Sequence, residues 1–307
     1  MKNIIEITDL TKNYDDFIAV NHINFQVKNG ELFAFLGTNG AGKSTTINMI
    51  CSLLAKTSGK IIVSGFDMDC EAEKIRSCLG VVFQNNVLDD LLTVKENLTL
   101  RAQLRGLYDL ELSTCLNELK AVFNLFDIWD RPFGKLSGGQ KRKCEIAQAI
   151  LHKPKILILD EPTTGLDPQT RTSIWKLIQD MQEKYGMTVF LTTHYMEEAA
   201  TANHIVILEK GIIQAEGTPE ALKNQYGKDT LKLWFDNLNN GAQQLQTMGY
   251  LPKLKTDHLL IAVDNSQEAL KILKNTTDFY DFELIKGTMD DVFLAVTAST
   301  EVEPCTK

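Results

Sequence analysis

Leu32-Phe33-Ala34-Phe35-Leu36 is apolar at every position and runs straight into Gly37-Thr38-Asn39-Gly40-Ala41-Gly42-Lys43-Ser44. An uninterrupted apolar run suits a strand covered on both faces, the setting of a central strand in a parallel sheet. From Lys43 onward, Ile47, Ile50 and Leu54 recur at helical spacing until Thr57-Ser58-Gly59 ends the pattern. Strand, glycine-rich loop and helix in succession is the context a phosphate loop needs, and the loop matches G-x-x-x-x-G-K-S in full. The glycines let backbone N–H groups wrap phosphate oxygens, Lys43 can reach the β and γ oxygens, and Ser44 can ligate Mg2+ at a helix start. A chance glycine-rich turn would explain the loop, but neither the strand before it nor the helix after.

At 307 residues the chain suits two domains on the usual prior of ~150 residues each. With 44% hydrophobic and 23% charged residues it can build an ordinary globular core. The formal net charge of -8 argues against a strongly basic nucleic-acid-binding domain, so no nucleic-acid partner is expected. No apolar run follows Lys2, which argues against a secretory signal, and no segment approaches the ~18 uninterrupted apolar residues of a membrane span. The cysteines (Cys51, Cys70, Cys78, Cys115, Cys144, Cys305) are scattered without a C-x-x-C pair. Most fall in apolar periodic segments, which predicts buried, reduced thiols.

Residues 1–35 alternate like antiparallel strands: Ile5, Ile7 and Leu10 come first, then Ile23, Phe25 and Val27 before the turn at Asn29-Gly30. Residues 90–150 are mainly helical in pattern, through Leu98, Ala102 and Leu104, then Leu116, Leu119, Val122 and Phe123. Beyond them the pattern predicts a strand at 155–160, a helix at 169–184, and strands at 188–192 and 204–208. Alternation of this kind indicates a parallel sheet covered by helices. A composition shift at Gln225-Tyr226-Gly227-Lys228-Asp229 marks a boundary. After it, strand 231–236, helix 239–248, strands near 251–255 and 258–263, helix 266–275 and strand 279–286 give the β-α-β-β-α-β order of a ferredoxin-like domain, followed by a helix at 288–297.

Ile156-Leu157-Ile158-Leu159-Asp160-Glu161 puts two carboxylates where an apolar strand leaves a sheet. Adjacent carboxylates at a strand end are commonly solvated turn residues. The upstream phosphate loop favours a working pair, with Asp160 holding Mg2+ through water and Glu161 orienting and deprotonating an attacking water. Between the two motifs lies a second glycine-rich segment, Leu136-Ser137-Gly138-Gly139-Gln140.

Phosphate loop, Leu136 to Gln140 and acidic strand end occur in the order of the ABC-type ATPases. Residues 1 to about 225 resemble the nucleotide-binding subunit of an ABC transporter. The resemblance implies an α/β P-loop NTPase cassette with a RecA-like core, an antiparallel β subdomain and a helical subdomain over about 86–150. A small α+β ferredoxin-like accessory domain then occupies 228–307. It also implies an ATP and Mg2+ site over Gly37, Thr38, Asn39, Gly40, Ala41, Gly42, Lys43, Ser44 and Thr45, with Ser44, Gln84 and Asp160 around the metal. Lys43, Gln84, Glu161 and His194 are its implied catalytic residues. Tyr14 matches the aromatic on which adenine stacks, with a half-exposed strand tyrosine as the alternative and Phe17 as a substitute. Ser137, Gly138, Gly139 and Gln140 resemble the signature loop that contacts the ATP of the opposite subunit; a plain helix cap accounts for Ser137 alone. Asp167, in Gly165-Leu166-Asp167-Pro168, resembles the loop that links two sites across a dimer, and it is also an ordinary helix start. His194 matches the switch histidine that meets the γ-phosphate. Thr38 departs from the proline frequent at that position of the loop.

Each motif occurs once, so a head-to-tail homodimer would assemble two complete sites. The phosphate loop and Ser137 are about 90 residues apart, too close for the coiled-coil insertion of a DNA-repair ATPase. A single cassette also differs from the paired cassettes of translation factors. The motor of an exporter, the motor of an importer and a soluble ABC ATPase remain as alternatives. Thr288-Met289-Asp290-Asp291-Val292-Phe293-Leu294 resembles the closing motif of daunorubicin-type drug exporters, which work with a separate ABC-2 permease; an amphipathic helix with an acidic first turn explains the same residues. The exporter reading places the chain peripherally on the cytoplasmic face of the membrane. Leu88, Leu91 and Leu92 then become either a permease groove or core residues. The carboxy-terminal domain shows no catalytic cluster and is expected to serve dimerisation or regulation.

Overall fold

The computed structural model describes residues 2–298 of a chain that divides into two compact units, Met1–Glu216 and Gly217–Lys307. In the first, β1 (Asn3–Tyr14) and β2 (Phe17–Lys28) form the antiparallel hairpin that the alternation predicts, closed at Tyr14 opposite Phe17. Next, β3 (Leu32–Gly37) is buried at every residue and delivers the chain to α1 (Lys43–Ile50). The helix stops short of Leu54, because Ser52 takes a left-handed φ of 56° and Thr57-Ser58-Gly59 leads into a strand. That strand, β4 (Ser58–Val63), pairs with β1 and is followed by β5 (Phe66–Asp67), α2 (Met68–Cys78) and β6 (Leu79–Val82). Gly59, at φ 89°, sits where a Cβ would strike the backbone of Asp9, so the crossing of β4 over β1 needs glycine there. The four strands assemble as β2-β1-β4-β5.

The helical part comprises α3 (Val94–Leu104), α4 (Asp109–Val122) and α5 (Gly138–Ala149). Thr93 and Glu96 make a reciprocal capping box that starts α3, each satisfying a backbone N–H the helix leaves open. Asn97 is buried one turn later. Its amide donates to the carbonyls of Asp89, Leu92 and Thr93 and accepts from the Asp89 N–H, which fixes the chain entering α3. The remaining elements are β7 (Ile156–Asp160), α6 (Pro168–Tyr185), β8 (Thr188–Thr192), α7 (Met196–Ala199), β9 (His204–Glu209) and β10 (Ile212–Gly217). They complete a six-stranded sheet of order β10-β9-β3-β8-β7-β6, in which β9, β3, β8, β7 and β6 run parallel. Phe25 of β2 packs 5.5 Å from Phe33 and 5.3 Å from Phe35 of β3, so an aromatic cluster welds the antiparallel sheet onto the parallel one.

The second unit opens with α8 (Pro219–Tyr226), then β11 (Asp229–Phe235), α9 (Leu238–Thr247), β12 (Lys253–Leu254), β13 (Leu259–Val263), α10 (Ser266–Asn275), β14 (Phe279–Ile285) and α11 (Met289–Ala298). Its antiparallel sheet has the order β12-β13-β11-β14, the ferredoxin-like arrangement. The unit starts at Gly217, earlier than the composition shift, because α8 packs on α11: Leu222 is buried there with Met289, Val292 and Val296. No helix among the described residues is long and apolar enough to cross a membrane. Cys51, Cys78 and Cys144 are buried free thiols and Cys115 is half-buried, but Cys70 is exposed in the first turn of α2, against expectation. Cys305 lies outside the described residues.

His152, just beyond α5, donates from Nε2 to the Leu79 carbonyl at 3.0 Å, while its Nδ1 is buried without a partner. Burial, reinforced by the Arg105 charge, pushes its pKa down to about 4. The unfolded chain therefore takes up a proton near pH 6.5 that the fold refuses, and stability falls as pH drops from 6.5 towards 4. Urea titrations at pH 7.5 and 4.5 are expected to show about 2 kcal/mol more loss in the wild type than in His152→Gln; equal losses would mean His152 is not the group responsible.

Candidate functional site

Because five strands run parallel, their carboxyl ends share one edge of the sheet: Val82 of β6, Asp160 of β7, Thr192 of β8, Gly37 of β3 and Glu209 of β9. The phosphate loop leaves β3 there. A Cβ at Gly37 would run into the Leu208 carbonyl, and Gly42, at φ 106°, lies where a Cβ would come within 2.5 Å of the Ala19 carbonyl. The loop is thus wedged between β9 and β2, a placement only glycines permit. Lys43 is buried, and its ammonium donates to the carbonyls of Gly37 (2.8 Å) and Thr38 (2.9 Å). Burial lowers its pKa, and the charges of Glu161, Asp160 and Glu209 oppose that shift. Thr38, in the position where proline is frequent, donates to the Glu209 carboxylate at 2.7 Å and ties the loop to the end of β9. Ser44 is exposed and Thr45 half-buried at the head of α1.

Asp160 is buried and its Oδ1 accepts from the Thr192 hydroxyl at 2.6 Å. The next residue, Glu161, has a left-handed φ of 46°, held by its N–H donating to Thr192. A non-glycine residue there costs about 1 kcal/mol or more. Glu161 Oε2 accepts from the Thr164 hydroxyl at 3.0 Å and lies 3.4 Å from Nδ1 of His194. The segments after β7 and β8 are joined by a residue the sequence did not flag. Buried Glu198 accepts from the hydroxyls of Thr163 (2.5 Å) and Thr193 (2.6 Å), one on each segment.

Arg142 and Glu145 were likewise missed, since charged residues in a helical pattern read as a solvated face. Helix α5 is instead buried around most of its circumference. The Arg142 guanidinium donates to the carbonyls of Phe83 (2.7 Å), Asp160 (3.1 Å) and Pro162 (2.6 Å), and burial pushes its pKa down to about 10. Glu145 Oε1 accepts from the N–H groups of Val87 and Leu88, and burial pushes its carboxyl up. Exposed Gln84 therefore lies in a segment gripped on both sides by side chains of α5.

The structure gathers Lys43, Asp160, Glu161 and His194 but holds the second glycine-rich segment elsewhere. Ser137 caps α5, accepting from the Gln140 N–H while Gln140 accepts from the Ser137 N–H. Helix α5 packs on α3, α6 and β6, whereas α1 packs on β2, β3 and β7. A Cβ on Gly138 would sit 3.3 Å from Leu166, and one on Gly139 would strike Thr170, so the neighbours of this segment belong to the start of α6. Asp167 caps that helix, and its hydrogen bonds with Thr170 hold its carboxyl below the usual range. Tyr14 is 45% exposed at the hairpin tip opposite Phe17, at 62%. Both aromatics are available there, and the Lys12 ammonium stands 4.9 Å from the Tyr14 ring.

The ABC transporter family profile matches residues 20–164. The daunorubicin/doxorubicin resistance ATP-binding protein DrrA of Streptomyces peucetius is 33% identical over 304 residues, covering 95% of this chain and 92% of DrrA. The chain belongs to the ABC transporter ATP-binding family. The probable multidrug ABC transporter ATP-binding protein YbhF of Escherichia coli K12 is 41% identical over 228 residues, 74% of this chain; the match spans only 39% of YbhF. Among solved structures, the dimeric post-hydrolysis state of the ATP-binding cassette MJ0796 with ADP and Pi superposes with a TM-score of 0.65 at 30% identity, covering 70% of this chain and 98% of the cassette. The first unit is an ATP-binding ABC ATPase cassette, with the strand-loop-helix core and helical part described above.

Proposed function

We propose that this ATPase is the motor of an ABC-2 type exporter, hydrolysing ATP as a head-to-tail homodimer docked on a separate permease at the cytoplasmic face of the membrane. The observation that carries the hydrolytic part is the convergence of Lys43, Asp160, Glu161 and His194 at one sheet edge, with Ser137 to Gly139 packed away from it. In this reading the loop Gly37 to Thr45 holds the triphosphate, Lys43 exchanges its loop carbonyls for β and γ oxygens, and Tyr14 stacks the base. Ser137, Gly138, Gly139, Gln140 and Asp167 meet the nucleotide of the other subunit. Ser44, Gln84 and Asp160 offer a hydroxyl, an amide oxygen and a carboxylate, an all-oxygen donor set that suits Mg2+. The ion would neutralise charge on the phosphate oxygens. Glu161 takes the proton of the attacking water, and His194, within ion-pair reach of Glu161, donates to the γ-phosphate.

The exporter reading rests on the names of the relatives, a drug-resistance protein and a probable multidrug transporter component. It rests as well on the acidic first turn and buried Val292 and Val296 of α11. Of the leucines considered for docking, Leu88 is buried and belongs to the core, while Leu91 is 88% exposed. Leu100 and Leu104, one turn apart on α3, are also exposed, and Arg101 between them holds the Val87 carbonyl. These exposed leucines, tied by Arg101 to the segment that follows Gln84, are where we place the permease.

Glu161→Gln is expected to bind ATP normally and to lose turnover by about 10²-fold or more in a steady-state phosphate-release assay; near-normal hydrolysis would remove Glu161 from its role. Leu91→Asp with Leu104→Asp, in a folded subunit, should abolish copurification of the membrane partner, and retention of that partner would place docking elsewhere. Ending the chain after Glu216 is expected to change assembly or transport while leaving the cassette folded. Unaltered ATPase rate, assembly and transport together would leave the second unit without the dimerisation or regulatory role assigned to it.

A further inference from the structure

His194 is only held from one side by the contacts already described. Its Nδ1 lies 3.4 Å from Glu161, yet its side chain is 44% exposed at the end of β8 and free to rotate unless something stops the ring. What stops it is Tyr195. The two rings are 4.2 Å apart between centroids, and the tyrosine is itself pinned, because the Arg171 guanidinium carbon stands 3.5 Å from its centroid on α6. That is a close cation–π contact, and it involves a group with no other use visible at that atom: Arg171 Nε is buried without a hydrogen-bond partner among the described residues. The backbone is fixed as well. The Tyr195 N–H donates to the Thr193 hydroxyl at 2.9 Å, and that hydroxyl donates to buried Glu198.

Guanidinium, phenol ring and imidazole, the last two tilted by 38° to one another, therefore form a continuous row of contacts that ends against Glu161. We infer that Arg171 and Tyr195 are positioning residues for hydrolysis: the guanidinium fixes the Tyr195 ring, and the ring fixes the His194 imidazole in the orientation that faces Glu161 and the γ-phosphate. The inference rests on the role of His194 proposed above and extends it. It also ties the imidazole to the first turn of α6, since Arg171 follows the Asp167 cap by one turn and its N–H donates to the Asp167 carbonyl at 2.9 Å.

The phenol oxygen has no part in the stack, which separates a positioning role from a polar one. Misplacing a reacting group by about 1 Å costs on the order of 10²-fold in rate, so Tyr195→Ala in the full-length chain should lower kcat by about 10- to 100-fold. Its KM for ATP, and its affinity for a fluorescent ATP analogue, should stay within about twofold, because only the transition-state orientation is lost. Tyr195→Phe keeps the ring and should retain kcat within about threefold, and Arg171→Met should fall between the two. In a His194→Ala background the Tyr195→Ala substitution should add no further loss. Unchanged kcat in Tyr195→Ala, an equal loss in Tyr195→Phe, or a full additional loss on top of His194→Ala would each overturn the proposal. Normal turnover by His194→Ala itself would instead overturn the role of the histidine, so the two failures are distinguishable.

Discussion

The parallel register of β9, β3, β8, β7 and β6 is the constraint on which the site depends. Parallel strands end together, so Gly37, Asp160 and Thr192 reach the same edge although they are far apart in sequence. At that edge the strands stop donating to one another, and each leaves a polar group that the interior cannot satisfy. The fold answers with buried charges. Among the described residues the buried acidic and basic side chains are Lys43, Arg142, Glu145, Asp160, Glu198 and Asp229, and all but Asp229 surround this edge. Such a concentration is unfavourable for stability unless the charges are hydrogen-bonded, and each of them has at least one such partner here, although Glu145 Oε2 is buried without one among the described residues.

Arg142 shows how the bonding also organises the site. Its three acceptors are backbone carbonyls from the exits of two strands, so one side chain of α5 sets the spacing between the Gln84 segment and the Asp160-Glu161 end. Leaving a buried acceptor unpaired costs about 1–3 kcal/mol. Glu145, on the next turn of the same helix, holds the other side of Gln84 through Val87 and Leu88. The helix that begins with Ser137 is thereby attached to the strand that ends with Asp160.

The sequence made the strand-loop-helix at Leu32 to Ile50, the acidic end of β7 and the ferredoxin-like order of the second unit legible, because each is written in local periodicity. Boundaries were less so. Helix α1 ends at Ile50 rather than Leu54, since Leu54 packs on the core from a loop and so mimics helical spacing. Helix α2 and strands β4 to β6 escaped notice because the strands are short and α2 buries only Ile75 and Cys78. Arg142, Glu145 and Glu198 were illegible for a different reason. Their partners are backbone groups or hydroxyls distant in the chain, and no spacing rule distinguishes a charge that will be buried from one that will be solvated. The clue available was that Cys144, Ile146, Ala147 and Ala149 leave α5 little room for a wet face.

The first turn of α6 is where separate demands meet. Leu166 lies against Gly138, Thr170 against Gly139, Asp167 caps the helix, and Arg171 faces Tyr195. A methyl group on Gly139 would collide with Thr170, whereas one on Gly138 would only press on the Leu166 side chain. The segment Ser137 to Gln140 therefore rests directly on the element that pins Tyr195, while His194 and the left-handed Glu161 sit at the other end of the same stack. A packed interior moves as discrete units rather than deforming continuously. From Asp167 a run of contacts through Arg171, Tyr195 and His194 reaches the Glu161 carboxylate. The second glycine-rich segment rests on Leu166 and Thr170, and the contacts that lead to the acidic strand end leave from Arg171, the next residue, so both converge on the start of α6.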